Sequence, residues 1–142
     1  MTIKTYLGFD VGTKRTGIAI ANSLTTQANG LATVTHNKDG STNWVQLEEI
    51  IKQHSPNKFI VGLPLDQENK EQEMTFIAKS FGRKLEKRFS IDVVFVDEHL
   101  SSSEAKNQLK WHYAHKNADR GAVDKKSAEL ILQTWLNETT YD

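Results

Sequence analysis

The sequence predicts an α/β fold with a five-stranded mixed sheet and helices on both faces. Its first three strands form an antiparallel meander, and parallel crossovers supply the rest. Two patterns carry the prediction. Up to residue 36 the chain holds three strand-like runs separated by short turns, and short turns favour antiparallel neighbours. Beyond them, short apolar runs alternate with segments whose apolar residues recur at spacings of three and four, as in strands linked by crossover helices.

Ile3, Thr5, Leu7, Phe9 and Val11 share one parity of a first strand over 3–11. Gly12, Thr13, Lys14 and Arg15 turn the chain into a second strand over 16–22. Residues 28–36 read as a third, with β-branched Thr33, Val34 and Thr35. A helix capped by Ser41 or Thr42 follows, with Trp44, Leu47, Ile51 and His54 on one face and Pro56 stopping it. Phe59, Ile60 and Val61 form a uniformly apolar strand of the kind buried on both faces. Met74, Ile77, Ala78, Phe81 and Leu85 mark the apolar stripe of a second helix. The run 91–96 is another apolar strand, leading into Asp97 and Glu98. Residues 101–110 read as a helix capped by Ser101 or Ser102, and 111–121 as a polar, basic loop. Asp124, Ala128, Ile131, Leu132 and Trp135 define the stripe of a last helix.

With 142 residues and no linker, repeat or low-complexity tract, the chain reads as one domain over 1–142. A chain of this size buries roughly two-thirds of its unfolded surface, enough for a core without covalent staples. Lys plus Arg and Asp plus Glu number 18 each, so the formal charge is zero. Bulk charge therefore cannot hold a polyanion, although a local basic patch can. The absence of cysteine excludes disulfides, thiolate nucleophiles and Cys-ligated zinc or iron–sulfur sites. No basic-then-apolar signal segment opens the chain, and Asn, Gln, Ser and Thr make the uncharged stretch 16–35 too polar for a membrane span. A cytoplasmic protein with no membrane association is expected.

Three acidic residues stand where carboxylates are costly. Asp10 lies inside the first strand between Phe9 and Val11, Glu98 follows the apolar run Val93–Val96, and Asp124 continues an apolar helix stripe. In open α/β sheets the carboxyl ends of parallel strands are also where ligands bind. If the first and last strands are parallel, Asp10 and Glu98 emerge at one edge, within reach of Asp124 at the start of the last helix. Each has an ordinary alternative: Asp10 as a turn former, Glu98 as a solvated strand exit, Asp124 as a helix N-cap. Together, three hard oxygen donors without cysteine or a neighbouring histidine pair suit Mg²⁺ or Mn²⁺ rather than zinc. Such a site can activate a water and stabilise the leaving oxygen of a phosphodiester. Asp97 is the nearest candidate for a fourth ligand, but strand alternation turns it to the other face. Among the histidines, His54 sits on an apolar helix face, while His112 and His115 lie in the polar loop, facing solvent or RNA. No Ser-His-Asp arrangement, Walker-type loop or Rossmann glycine fingerprint is present.

Four segments in register, GFDVGTKRTGIA at 8–19, IVGLPL at 60–65, VDEHLSSSEA at 96–105 and VDKKSAELIL at 123–132, resemble the YqgF (RuvX) family. Its members are described as pre-16S rRNA nucleases and were formerly classed as Holliday junction resolvases. The resemblance covers nearly the whole chain and implies an RNase H-like fold. It implies that Asp10, Glu98 and Asp124 are the catalytic carboxylates, holding Mg²⁺ or Mn²⁺ and positioning the attacking water. It also implies that Lys14 and Arg15 beyond Asp10, with Lys116 and Arg120 before Asp124, meet nucleic-acid phosphates. Two positions depart from the family pattern. His99 stands where the family has Arg after the Glu, which makes any anion contact there weaker and pH-dependent. Asn69 stands where a Gly is usual in the loop after Leu-Pro-Leu, and Asn tolerates the left-handed conformation.

The function expected is metal-dependent phosphodiester hydrolysis during ribosome biogenesis, at the 5′ end of a small-subunit rRNA precursor. The partner is structured rRNA, with the immature small subunit as a further one and a monomer or weak dimer as the working form. The nearest rival substrate is a four-way DNA junction, whose symmetric cleavage favours a twofold dimer. A non-catalytic ribosome-associated module is a second alternative. The Asp-x-Gly-Thr turn at 10–13 also matches the phosphate turn of sugar kinases and actin-like ATPases, but those need two such domains and this chain supplies one.

Overall fold

A computed structural model describes residues 2–65, 68, 70–98 and 120–139. Its elements run β1 (Thr5–Val11), β2 (Arg15–Asn22), β3 (Asn29–Thr35), α1 (Trp44–His54), β4 (Lys58–Leu63), α2 (Glu73–Phe89), β5 (Val93–Asp97) and α3 (Arg120–Glu138). The five strands form one sheet in the order β3-β2-β1-β4-β5. β1 pairs antiparallel with β2, and β2 with β3, while β1–β4 and β4–β5 are parallel. The predicted meander and crossovers are thus both present. The helix expected at 101–110, together with His99 and Lys116, lies outside the described residues.

Strand alternation sorts the core into two layers of different thickness. On one face Leu7, Phe9, Val11, Ile18, Val34, Phe59 and Val61 pack against Leu47 and Ile51 of α1 and Ala78, Phe81 and Leu85 of α2. Phe9 meets Phe59 and Phe81 edge-on at centroid distances of 5.7 and 5.4 Å, and Trp44 stacks on Phe81. Such pairs add about 1 kcal/mol each beyond burial. On the other face the strands present Ala19, Ala21, Gly8 and Gly17, and α3 lies directly on them through Ala128, Ile131, Leu132 and Leu136. Burial there pushes the Tyr6 phenol up from its ordinary pKa. Side chains fix the helix further along the sheet. Gln133 accepts from the Ala28 amide and donates to the Thr26 carbonyl, Glu129 accepts from the Gly30 amide, and Thr33 donates to the Gly121 carbonyl at 2.6 Å.

Several local expectations shift. α1 is capped by Asn43, whose side chain accepts from the Gln46 amide, rather than by Ser41 or Thr42. Ser41 is instead held by the carboxylate of Asp39. The buried stripe of α2 is Thr75, Ala78, Phe81, Gly82 and Leu85, leaving Ile77 exposed. Thr75 can take a buried place because its hydroxyl bonds the Pro64 carbonyl. The basic loop expected up to residue 121 ends earlier, because Arg120 and Gly121 already belong to α3. Packing of the first turn on β3 outweighs the low helix propensity of Gly121.

At Gly17 the approach of α3 reaches backbone contact: an added Cβ would collide with the carbonyl group of Asp124 and lie 3.1 Å from its Cβ. Backbone cannot yield as a flexible side chain does. Gly17→Ala is therefore expected to destabilise the fold by about 2–3 kcal/mol in urea denaturation. A change within about 0.5 kcal/mol, the range of neutral surface substitutions, would contradict the close approach.

Candidate functional site

Asp10 is the sixth residue of β1 and shares its parity with Tyr6 and Gly8, so it belongs to the α3 face of the sheet, half-buried near the carboxyl ends of β1 and β4. Its partner across β2 is Gly17, the residue on which the Asp124 backbone rests. Across β4, the pair Phe9–Val61 puts Gly62 at the next position beside Asp10. A Cβ on Gly62 would come within 2.8 Å of Glu98 Oε1. Asp10 is thus flanked by two glycines, one beneath Asp124 and the other beneath the Glu98 carboxylate. β1, β4 and β5 run parallel, so Asp10 and Glu98 stand toward the same edge of the sheet, and the first turns of α3 bring the Asp124 backbone over Gly17 beside them. Asp97, paired with Leu63, takes the opposite parity.

Asp124 is not an N-cap. It is the fifth residue of α3, more than a turn inside the helix. Its Oδ2 accepts from Arg15 Nε at 2.7 Å, with both side chains about three-quarters buried. Arg15, expected at a phosphate, is therefore committed to a carboxylate, because β2 begins at Arg15 and shares the α3 face with Gly17. Lys14 stays exposed at the tip of the β1–β2 turn. Among the described residues no three His, Asp or Glu side chains are grouped so that they could hold a metal ion. The acidic residues share an edge, but the charge beside Asp124 is a guanidinium. Arg120 is the first residue of α3.

One residue of this region went unnoticed in the sequence. His36, just beyond β3, holds the turn that carries Lys14 and Arg15: its amide donates to the Lys14 carbonyl, its Nδ1 to the Thr13 carbonyl at 3.1 Å, and its Nε2 shares a 3.0 Å hydrogen bond with Thr16 Oγ1. The available signal was positional, since the Arg15–Thr35 pairing sets residue 36 opposite Lys14.

Comparison with known proteins adds the following. A family model described as "RuvX: Holliday junction resolvase" matches residues 4–138. A protein of Aeromonas salmonicida named "Putative pre-16S rRNA nuclease" is 41% identical over 138 residues, covering 97% of this chain and 98% of its own. Bearers of the same name from Proteus mirabilis and Yersinia pestis are 41% and 38% identical, covering 96% and 97% of this chain and 97% and 98% of their own. Among solved structures, Thermus thermophilus RuvC in complex with a Holliday junction substrate superposes with a TM-score of 0.57 at 12% identity, covering 94% of this chain and 95% of that one. That likeness is one of fold, and the fold is RNase H-like.

Because the Arg15–Asp124 bond is charge-assisted and largely shielded from solvent, a double-mutant cycle of Arg15→Gln and Asp124→Asn should return a coupling of about 1–2 kcal/mol in unfolding experiments. A coupling indistinguishable from zero would show that the two side chains do not meet in solution.

Proposed function

The chain belongs to the RuvX family, and from that membership we propose a divalent-metal-dependent nuclease that trims a structured precursor of small-subunit rRNA. The observation that carries the reading is the setting of Asp10 between Gly17 and Gly62, with Asp124 above one glycine and Glu98 above the other.

The donor chemistry suits a hard cation: three carboxylates and no sulfur donor, with Asp10 half-buried near the end of β1. Asp10, Glu98 and Asp124 would hold Mg²⁺ or Mn²⁺. When bound, such an ion supplies charge for the phosphodiester oxygens and acidifies a water to a nucleophile. The protein's own part is positional. α3 carries Asp124 to the sheet edge, and Arg15 holds its carboxylate there at 2.7 Å. Lys14, at the exposed tip of the turn, contacts the nucleic-acid backbone, as do Arg120 and Lys116. The His36 bonds to Thr13 and Thr16 keep that turn in one shape.

The substrate reading follows relatives that are about 40% identical over nearly their full length and are named for the rRNA precursor. The family description names a Holliday junction resolvase instead, so a four-way DNA junction is the alternative substrate. No helix of the described residues is long and apolar enough to cross a membrane. The protein acts in the cytoplasm, as a monomer or weak dimer, on the immature small subunit.

Wild type and Asp10→Asn, each offered an rRNA precursor and a four-way junction with Mg²⁺ or Mn²⁺, test the proposal. Cleavage of the RNA should require the metal and stop on chelation. It should fall by roughly a thousandfold in Asp10→Asn, the loss of several kcal/mol of electrostatic stabilisation, while the thermal transition is retained. Glu98→Gln should behave alike. Full activity in Asp10→Asn would overturn the site, and cleavage of the junction alone would move the function to recombination.

A further inference from the structure

The face of the sheet opposite the carboxylates carries a feature that phosphodiester hydrolysis at Asp10 does not use. Helix α2 bears five basic residues against two acidic ones, in a chain whose formal charge is zero. Two of the five are engaged: Lys79 pairs with Glu71, and the Arg88 guanidinium lies 4.3 Å above the Trp44 ring. The other three, Arg83, Lys84 and Lys87, are exposed and have no ion-pair partner among the described residues. They line a shallow groove together with Ser80, Lys79 and Phe76, with no acidic residue on its walls. Phe76 is 58% exposed, and Lys79 Nζ stands 6.0 Å from its ring centre.

A solvated helix face explains the cations but not the ring. An aromatic side chain left more than half exposed beside unpaired cations is the arrangement that binds a single strand, phosphates on the cations and a base on the ring. From Phe76 to Lys87 the helix spans about 16 Å, enough for about three successive phosphates of a single strand to meet Arg83, Lys84 and Lys87. A second groove of about 470 Å³ continues from Phe76, Ser80 and Lys84 to Val11 and His36. Val11 adjoins Asp10, and His36 holds the turn that carries Lys14. This second groove, whose walls include Trp44, Phe81 and one acid, Glu73, leads from the basic face of α2 to the end of β1 along the face opposite Asp10.

We propose that α2 is a second nucleic-acid contact surface, binding a single-stranded stretch of the substrate through Arg83, Lys84 and Lys87 with a base stacked on Phe76, so that the strand reaches the carboxylate edge by passing over the end of the sheet. This deepens the nuclease reading and rests on it. Charge complementarity selects the occupant: four cations and no acid line the groove, and the exposed ring suits a base.

The test is binding of fluorescein-labelled 20-nucleotide oligouridylate in EDTA over a range of salt concentrations. Four variants of the full chain are compared: wild type, Asp10→Asn, Phe76→Ala, and the triple variant Arg83→Ala, Lys84→Ala, Lys87→Ala. All the altered α2 side chains are exposed, so the thermal transition should be retained. The triple variant should bind at least tenfold more weakly, and its slope of log affinity against log salt should be shallower by about 2, near 0.7 per lost phosphate contact. Phe76→Ala should lose about 5- to 100-fold with its salt slope unchanged. Asp10→Asn, which removes a negative charge, should bind no more weakly than wild type, which keeps failure of the cleavage site separate from failure of this surface. Unchanged affinity and slope in the triple variant would overturn the proposal. So would competition by a poly-glutamate peptide of equal charge as strong as that by unlabelled RNA, which would indicate an acidic protein segment as the occupant.

Discussion

Helix α3 lies against the sheet at backbone distance because β1, β2 and β3 present glycine where it comes closest. Gly8, Gly17 and Gly30 meet it directly, and Ala19 and Ala21 line the same face. The same strands send Leu7, Phe9, Ile18, Phe59 and Val61 the other way, into the thick layer under α1 and α2. Period-two alternation thus encodes two spacings, a wide one filled by aromatic rings and a narrow one that a helix closes. The narrow spacing matters chemically. A helix standing one methyl group further off would carry Asp124 away from the edge that Asp10 occupies.

Charge is distributed with the same asymmetry. A formal charge of zero conceals five basic residues against two acidic ones on α2, three of the five without an ion-pair partner among the described residues and not stacked on a ring. Asp124 is compensated from within by Arg15, as a largely buried carboxylate must be. Its pairing depends on the register of β2, which puts Arg15 and Gly17 on one face two residues apart. On α2, Lys79 pairs with Glu71, whereas Arg83, Lys84 and Lys87 have no ion-pair partner among the described residues.

Much of this was legible before any coordinates. The parity of Ile3 to Val11 and the spacing of apolar residues in 44–54 and 73–89 are local signals, and local signals give element type. The sense of strand pairing followed from connection lengths, and Asp10, Glu98 and Asp124 stood out because each is a carboxylate in or directly after an apolar pattern. What stayed hidden depends on partners distant in sequence. Arg15 looked like a phosphate ligand because nothing nearby announces a carboxylate 109 residues away. His36 looked like a strand end, although it holds a turn more than twenty residues earlier. Thr75 took the buried place that periodicity gave to Ile77, because Pro64 offered its hydroxyl an acceptor. The start of α3 was read as loop because 111–121 is polar and basic, whereas the Gly121 carbonyl docks on the Thr33 hydroxyl.

The proposed nuclease site requires Asp10, Glu98 and Asp124 to share one cation at the end of β1, and paramagnetic broadening of backbone amides on titration with Mn²⁺ tests that requirement most directly. Broadening at low metal-to-protein ratio should centre on Val11, Gly17, Gly62, Glu98 and Asp124, fade along β1 toward Thr5, and leave α2 sharp. Broadening centred on the exposed acids Glu48 and Glu49 of α1, or spread evenly over the acidic surface, would contradict it.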